Sequence, residues 1–161
     1  MKVSLASTLP ARPHLLLLDE PFSGLDVETR AGLSGLLKSL ALDTGLAIVI
    51  TTHDVEEIEP VATRLGILSH GKLTVDEPLQ SFLGRHRFFL PNDGEISGLP
   101  DELASELKTS RSASGANVTF TDRYDPDFEE RILVHLPTGA TARFKPMTLR
   151  EIIAAHASPG S

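Results

Sequence analysis

The chain has 161 residues, a formal net charge of -7 and 40% hydrophobic residues. That size suggests one compact unit with at most a small appendage, and the apolar fraction supplies a core and excludes intrinsic disorder. The acidic balance argues against a nucleic-acid surface, the absence of cysteine excludes disulfides and thiolate metal sites, and no apolar run reaches the roughly 18 residues of a membrane span.

In chain order, Val3, Leu5, Ala6 and Leu9 fall at helical spacing, so a helix is expected over residues 2–9, ended by Pro10 and Pro13. The start has a superficial likeness to a signal peptide, but its apolar stretch is short and broken by Ser4, Ser7 and Thr8. The chain therefore reads as cytoplasmic. Leu15 to Leu18 is a continuous apolar run, the pattern of a strand buried on both faces in a parallel sheet. It ends in Asp19 and Glu20, and Pro21 stops it and restricts Glu20 to an extended backbone.

A helix follows from about Val27 to Leu42, with Asp26 as its N-cap and Glu28 at the positive end of its dipole. Leu33, Leu36, Leu37, Leu40 and Ala41 form its apolar stripe, and Gly45 breaks it. Residues 46–51 read as a second buried strand. Strand, helix and strand joined by short loops make a right-handed crossover, which brings both strand ends to one rim of the sheet. Thr51, Thr52 and His53 are therefore expected beside Asp19 and Glu20.

Acids at 54, 56, 57 and 59 open a further helix, where the dipole alone explains them. Residues 65–68 read as a strand, Gly71 and Lys72 as a turn into 73–75, and residues 78–83 as a proline-started helix. From Arg85 the texture changes. A helix over 100–108, a polar hinge at 110–115, strands at 117–121, 130–136 and 140–144 and a helix over 148–155 suggest a small α+β appendage. Residues 158–161 are expected to fray.

The rim has a definite chemistry. A carboxylate at a buried strand end, such as Asp19, suits Mg2+ held through water, because that ion keeps much of its hydration. Glu20 points elsewhere by strand alternation and suits orienting or deprotonating an attacking water. His53 can donate to a phosphate oxygen during phosphoryl transfer. A lone histidine is more often structural, and it is the shared rim that raises His53 above that reading. His14, His70, His86, His135 and His156 have no matching partners in the sequence and read as surface or packing residues.

Leu15 to Asp26 resembles the Walker B strand and D-loop of the ATP-binding cassette ATPases, and residues 50–54 resemble their H-loop. Residues 2–13 resemble the helix that follows that family's signature motif, while residues 62–68 and 71–73 resemble the strand and turn after the H-loop. Thr63 stands where an acid is common. The resemblance covers residues 1–84 and implies a partial P-loop NTPase fold, a mostly parallel α/β sheet with flanking helices. Residues 85–161 then form the α+β appendage, which resembles C-terminal extensions of some exporter ATPases.

The resemblance further implies Asp19 at Mg2+, Glu20 as catalytic carboxylate, His53 at the γ-phosphate, and Ser23, Gly24, Leu25 and Asp26 as the loop that meets a partner subunit. ATP and Mg2+ are the implied cofactors. The implied partners are a second ATPase subunit, head to tail, and a transmembrane permease that holds the protein at the inner face of the membrane, with no nucleic acid. The sequence contains no G-x-x-x-x-G-K-[ST], no signature and no glutamine loop. The expectation is a truncated exporter-type ATPase that needs the missing P-loop half. The alternatives are a degenerate cassette serving as an interaction module, which the retained Asp19, Glu20 and His53 argue against, and a soluble relative outside transport.

Overall fold

The structure is a computed structural model and describes residues 13–92, 99–112, 115–136, 138 and 140–157. The helix expected over 2–9 and the end expected to fray at 158–161 lie outside the described residues. The chain forms a mixed α/β structure with two compact units, Met1–Ala62 and Thr63–Ser161. The division expected from the sequence, between residues 84 and 85, does not coincide with this one.

In the first unit, β1 (Leu15–Asp19) leads through α1 (Val27–Thr44) to β2 (Ala47–Thr51), and α2 (Val55–Ile58) follows. β1 and β2 pair in parallel, in register from Leu15 opposite Ala47 to Asp19 opposite Thr51. Asp26 caps α1 by accepting from the Thr29 N–H at 2.8 Å. Gly45 closes the helix at φ 68°, a left-handed position that glycine adopts without steric cost. Leu16, Phe22, Leu33, Leu37 and Leu46 make the core, with Leu18, Leu40, Ile48 and Ile50 partly buried against them.

That core lies on one side of the strands only. Leu16 is 6% exposed, whereas Leu17 is 68% exposed and Leu15 and Val49 about half. The expectation of a strand buried on both faces is therefore corrected. α1 covers the Leu16 face, and among the described residues nothing comparable covers the other. Leu36, expected in the buried stripe of α1, is nearly half exposed.

The second unit opens with an antiparallel hairpin of β3 (Arg64–Ser69) and β4 (Lys72–Pro78). Its turn residues His70 and Gly71 sit at φ 49° and 75°, the two positive values that match the twist of a hairpin. α3 (Leu79–Gly84) buries Leu79 and Phe82. β5 (Arg87–Pro91), α4 (Asp101–Ala104), β6 (Lys108–Arg111), β7 (Asn117–Thr121), α5 (Phe128–Leu133), β8 (Ala142–Pro146) and α6 (Leu149–Ala157) complete the unit. β6, β7, β5 and β8 form, in that order, an antiparallel sheet.

Phe89 of this sheet packs with Leu103, Phe128 and Ile132, and the Phe89 and Phe144 rings stand 5.2 Å apart. Thr148 and Glu151 make a reciprocal cap on α6: the Thr148 N–H donates to Glu151 at 2.8 Å and the Glu151 N–H to the Thr148 hydroxyl at 3.3 Å.

Several expectations change here. Among the described residues only β1 and β2 are parallel, so the sheet structure is not mostly parallel: β3 returns on β4 through a two-residue turn instead of crossing over. The helix expected over 100–108 lasts four residues and gives way to β6, which enters the expected hinge. The strand expected over 130–136 is largely α5, because Phe128 and Ile132 stand one helical turn apart and are both fully buried. β5, central in the four-stranded sheet, was not anticipated.

Candidate functional site

The β1–β2 register places Asp19 opposite Thr51, so the acids and the Thr51-Thr52-His53 run do meet at one rim. The Thr51 hydroxyl donates to Asp19 Oδ1. Glu20 takes its own set of donors. The Thr52 hydroxyl reaches Oε2 at 3.1 Å, while the His53 N–H and ring Nδ1 reach Oε1 at 3.0 and 2.7 Å. The two carboxylates are thus held by different groups.

The backbone of Glu20 departs from expectation. Its φ is 44°, not the extended value that the following proline favours. The Glu20 N–H continues the ladder to the Thr51 carbonyl at 2.9 Å, and the carboxylate is tied by three bonds, so local contacts hold a sparsely populated conformation. Pro21 and Phe22 are buried just beyond and anchor the turn.

Electrostatics couple the pair. The side-chain hydrogen bond from His53 holds the Glu20 carboxyl below the usual carboxylate range, with Thr52 and the His53 charge assisting against the opposing effect of burial. The same bond, then the carboxylate's charge, raises His53 above the ordinary imidazole value. His53 is 84% exposed and Glu20 36%, so the rim is open to solvent.

Ser23 and Gly24 are exposed in the loop between β1 and α1, with Gly24 at φ 71°. Asp26 ends that loop, and its carboxyl is lowered first by the Thr29 N–H and then by the Thr29 hydroxyl. Sequence reasoning placed Thr51 and Thr52 on this rim without assigning them a role. Thr51 and Thr52 are the groups that orient the acids, and two adjacent hydroxyls before His53 were a legible signal for that. Arg30 and Glu57 form an ion pair that joins α1 to α2.

Residues 3–59 match the family described as "AAA domain, putative AbiEii toxin, Type IV TA system". The chain is also 34% identical over 150 residues to the molybdenum import ATP-binding protein ModC of Mycobacterium tuberculosis, covering 90% of this chain and 40% of that protein. It is 36% identical over 104 residues to the spermidine/putrescine import ATP-binding protein PotA of Pseudomonas fluorescens, covering 63% of this chain and 29% of that one. The chain belongs to the ATP-binding cassette ATPases.

The aliphatic sulfonates import ATP-binding protein SsuB of Frankia casuarinae is a further cassette relative, 35% identical over 114 residues that cover 71% of this chain and 36% of the relative. The chain therefore spans two fifths or less of the length of these cassette proteins. The exporter-type expectation is not supported, since all three named relatives are described as import proteins. Coverage of 90% cannot be met within residues 1–84, so the likeness to ModC continues into residues 85–161.

Proposed function

We propose that these residues form part of the ATP-hydrolysing subunit of an ATP-binding cassette importer, with the β1–β2 rim as the hydrolytic side of the nucleotide site. The observation that carries the reading is the Glu20–His53 contact of 2.7 Å at a strand-end rim shared with Asp19. Support for import over export comes from the relatives named above, all import proteins.

Asp19 suits Mg2+ by the chemistry of its donors. It is an exposed hard-oxygen ligand at a strand end, with one oxygen fixed by the Thr51 hydroxyl. When bound, Mg2+-ATP supplies the phosphoryl group and the cation that offsets its charge. Glu20 orients and deprotonates the attacking water, and its lowered pKa keeps it ionised at neutral pH. His53 spends Nδ1 on Glu20, which leaves Nε2 to donate toward developing phosphate charge. Thr51 and Thr52 are positioning residues that fix the two carboxylates.

Ser23, Gly24 and Asp26 are exposed and Leu25 is half-buried against the core, a loop suited to a second ATPase subunit, and a permease would hold the assembly at the membrane. Among the described residues no helix is long and apolar enough to cross a membrane. No G-x-x-x-x-G-K-[ST] lies in residues 1–161, so the phosphate cradle is assigned to the complete subunit. Within that subunit, residues 1–84 are proposed to belong to the nucleotide-binding domain and residues 85–161 to an accessory domain.

The test measures ATP binding and phosphate release by the 161-residue chain alone and joined to a P-loop-bearing half. Both activities are expected only in the joined protein. Hydrolysis by the 161 residues alone, or none in a folded joined protein, would overturn the proposal.

A further inference from the structure

The second unit carries a side-chain cluster that no motif in the sequence announces. His86 lies between α3 and β5 and is fully buried, and its Nδ1 lies 2.6 Å from the Phe82 carbonyl. A carbonyl can only accept, so Nδ1 carries the proton and a neutral His86 ring presents its lone pair at Nε2. That atom stands 3.3 Å from Nε2 of His156, in the last turn of α6. Asp122, just past β7, completes the group, and one ligand atom from each of the three residues lies within 4.8 Å of the others.

The Asp122 carboxylate is asymmetric. Oδ2 accepts from Lys108 Nζ at 2.5 Å. Oδ1 is buried and, among the described residues, is the one such side-chain atom without a hydrogen-bond partner. A buried carboxylate oxygen is seldom left in that condition, because it loses its hydration with no return. The positive charges that flank the cluster are Lys108 and Arg85, and Arg85 is paired with Glu77 at 2.6 Å.

We propose that His86 Nε2, His156 Nε2 and Asp122 bind a divalent metal ion of the zinc class, which fastens α6 to the four-stranded sheet. Tetrahedral zinc with metal–nitrogen bonds of about 2.0–2.1 Å separates two nitrogen ligands by about 3.3–3.4 Å. The observed 3.3 Å matches that edge and is long for a direct N–H···N bond. Asp122 must close by at most about 1.5 Å to reach the same spacing. Two imidazoles and one carboxylate favour zinc, cobalt or nickel over the all-oxygen preference of magnesium and calcium. The fourth position is left to water from the adjoining cavity of about 480 Å³, which Asp122 and His156 line.

The test titrates untagged 161-residue chain with Co2+, follows its visible absorption, and displaces it with Zn2+. One equivalent with an intense tetrahedral spectrum is expected, together with a rise in thermal midpoint. His156→Ala removes a solvent-accessible ligand, and it and Asp122→Asn should each weaken binding at least about tenfold, with folding checked by circular dichroism. His53→Ala should bind as the parent does. Wild-type affinity in H156A and D122N, loss of binding in H53A instead, or no stoichiometric binding by the parent chain would each overturn the proposal.

Discussion

Glu20 and His53 hold one another in the charge states that the proposed hydrolysis needs. Glu20 titrates below its ordinary value of 4.5 and His53 above 6.5, each because of the other. The lowered Glu20 contributes stability above 4.5 that is lost as pH falls through its folded pKa. The raised His53 contributes below 6.5 and loses that contribution as pH rises through its folded pKa. The pair is therefore complete between about 4.5 and 6.5 and persists somewhat beyond each limit. In His53→Ala, the Glu20 carboxyl followed by carbon-13 NMR should titrate closer to its ordinary value. An unchanged midpoint would mean that the contact does not form in solution.

At the scale of elements, β1 separates a packed face from a bare one. Leu16→Ala should cost about 2–5 kcal/mol, as for other buried leucines. Leu17→Ala, two-thirds exposed in this chain, should cost well under 1 kcal/mol by urea unfolding. A comparable loss at both positions would show that the second face is covered in solution. Gly45→Ala should shorten or destabilise α1 by about 1 kcal/mol, because alanine is strained at φ 68°.

β1, α1 and β2 were legible in the sequence because an unbroken apolar run, an N-cap and a C-cap glycine all agree. β5 was not: Arg87 to Pro91 is short, bounded by breakers, and becomes a strand only by pairing with β7 and β8. The segment around Ile132 misled for a related reason. Its β-branched and aliphatic residues suit a strand, and only the burial of Phe128 with Ile132 selects the helix.

At the scale of the molecule, the rim and the histidine cluster differ in how sequence exposes them. The rim residues lie in two short runs joined by one crossover, so periodicity and spacing bring them together. His86, Asp122 and His156 are separated by more than 30 residues each and meet only through antiparallel register, which local patterns do not encode. The two units should also differ in local stability. Phe88 and Phe89 of β5 are paired on both sides, whereas β1 and β2 have only each other among the described residues. Amides of β5 should exchange with deuterium more slowly than those of β1 and β2, and the reverse order would contradict this picture.

The central claim, that the rim hydrolyses ATP through Glu20, is met most directly by steady-state turnover of Glu20→Gln in the complete subunit. Removing the base while keeping the side chain's shape should lower turnover by at least about 100-fold and leave ATP binding intact. Undiminished turnover would remove Glu20 from the reaction and contradict the account.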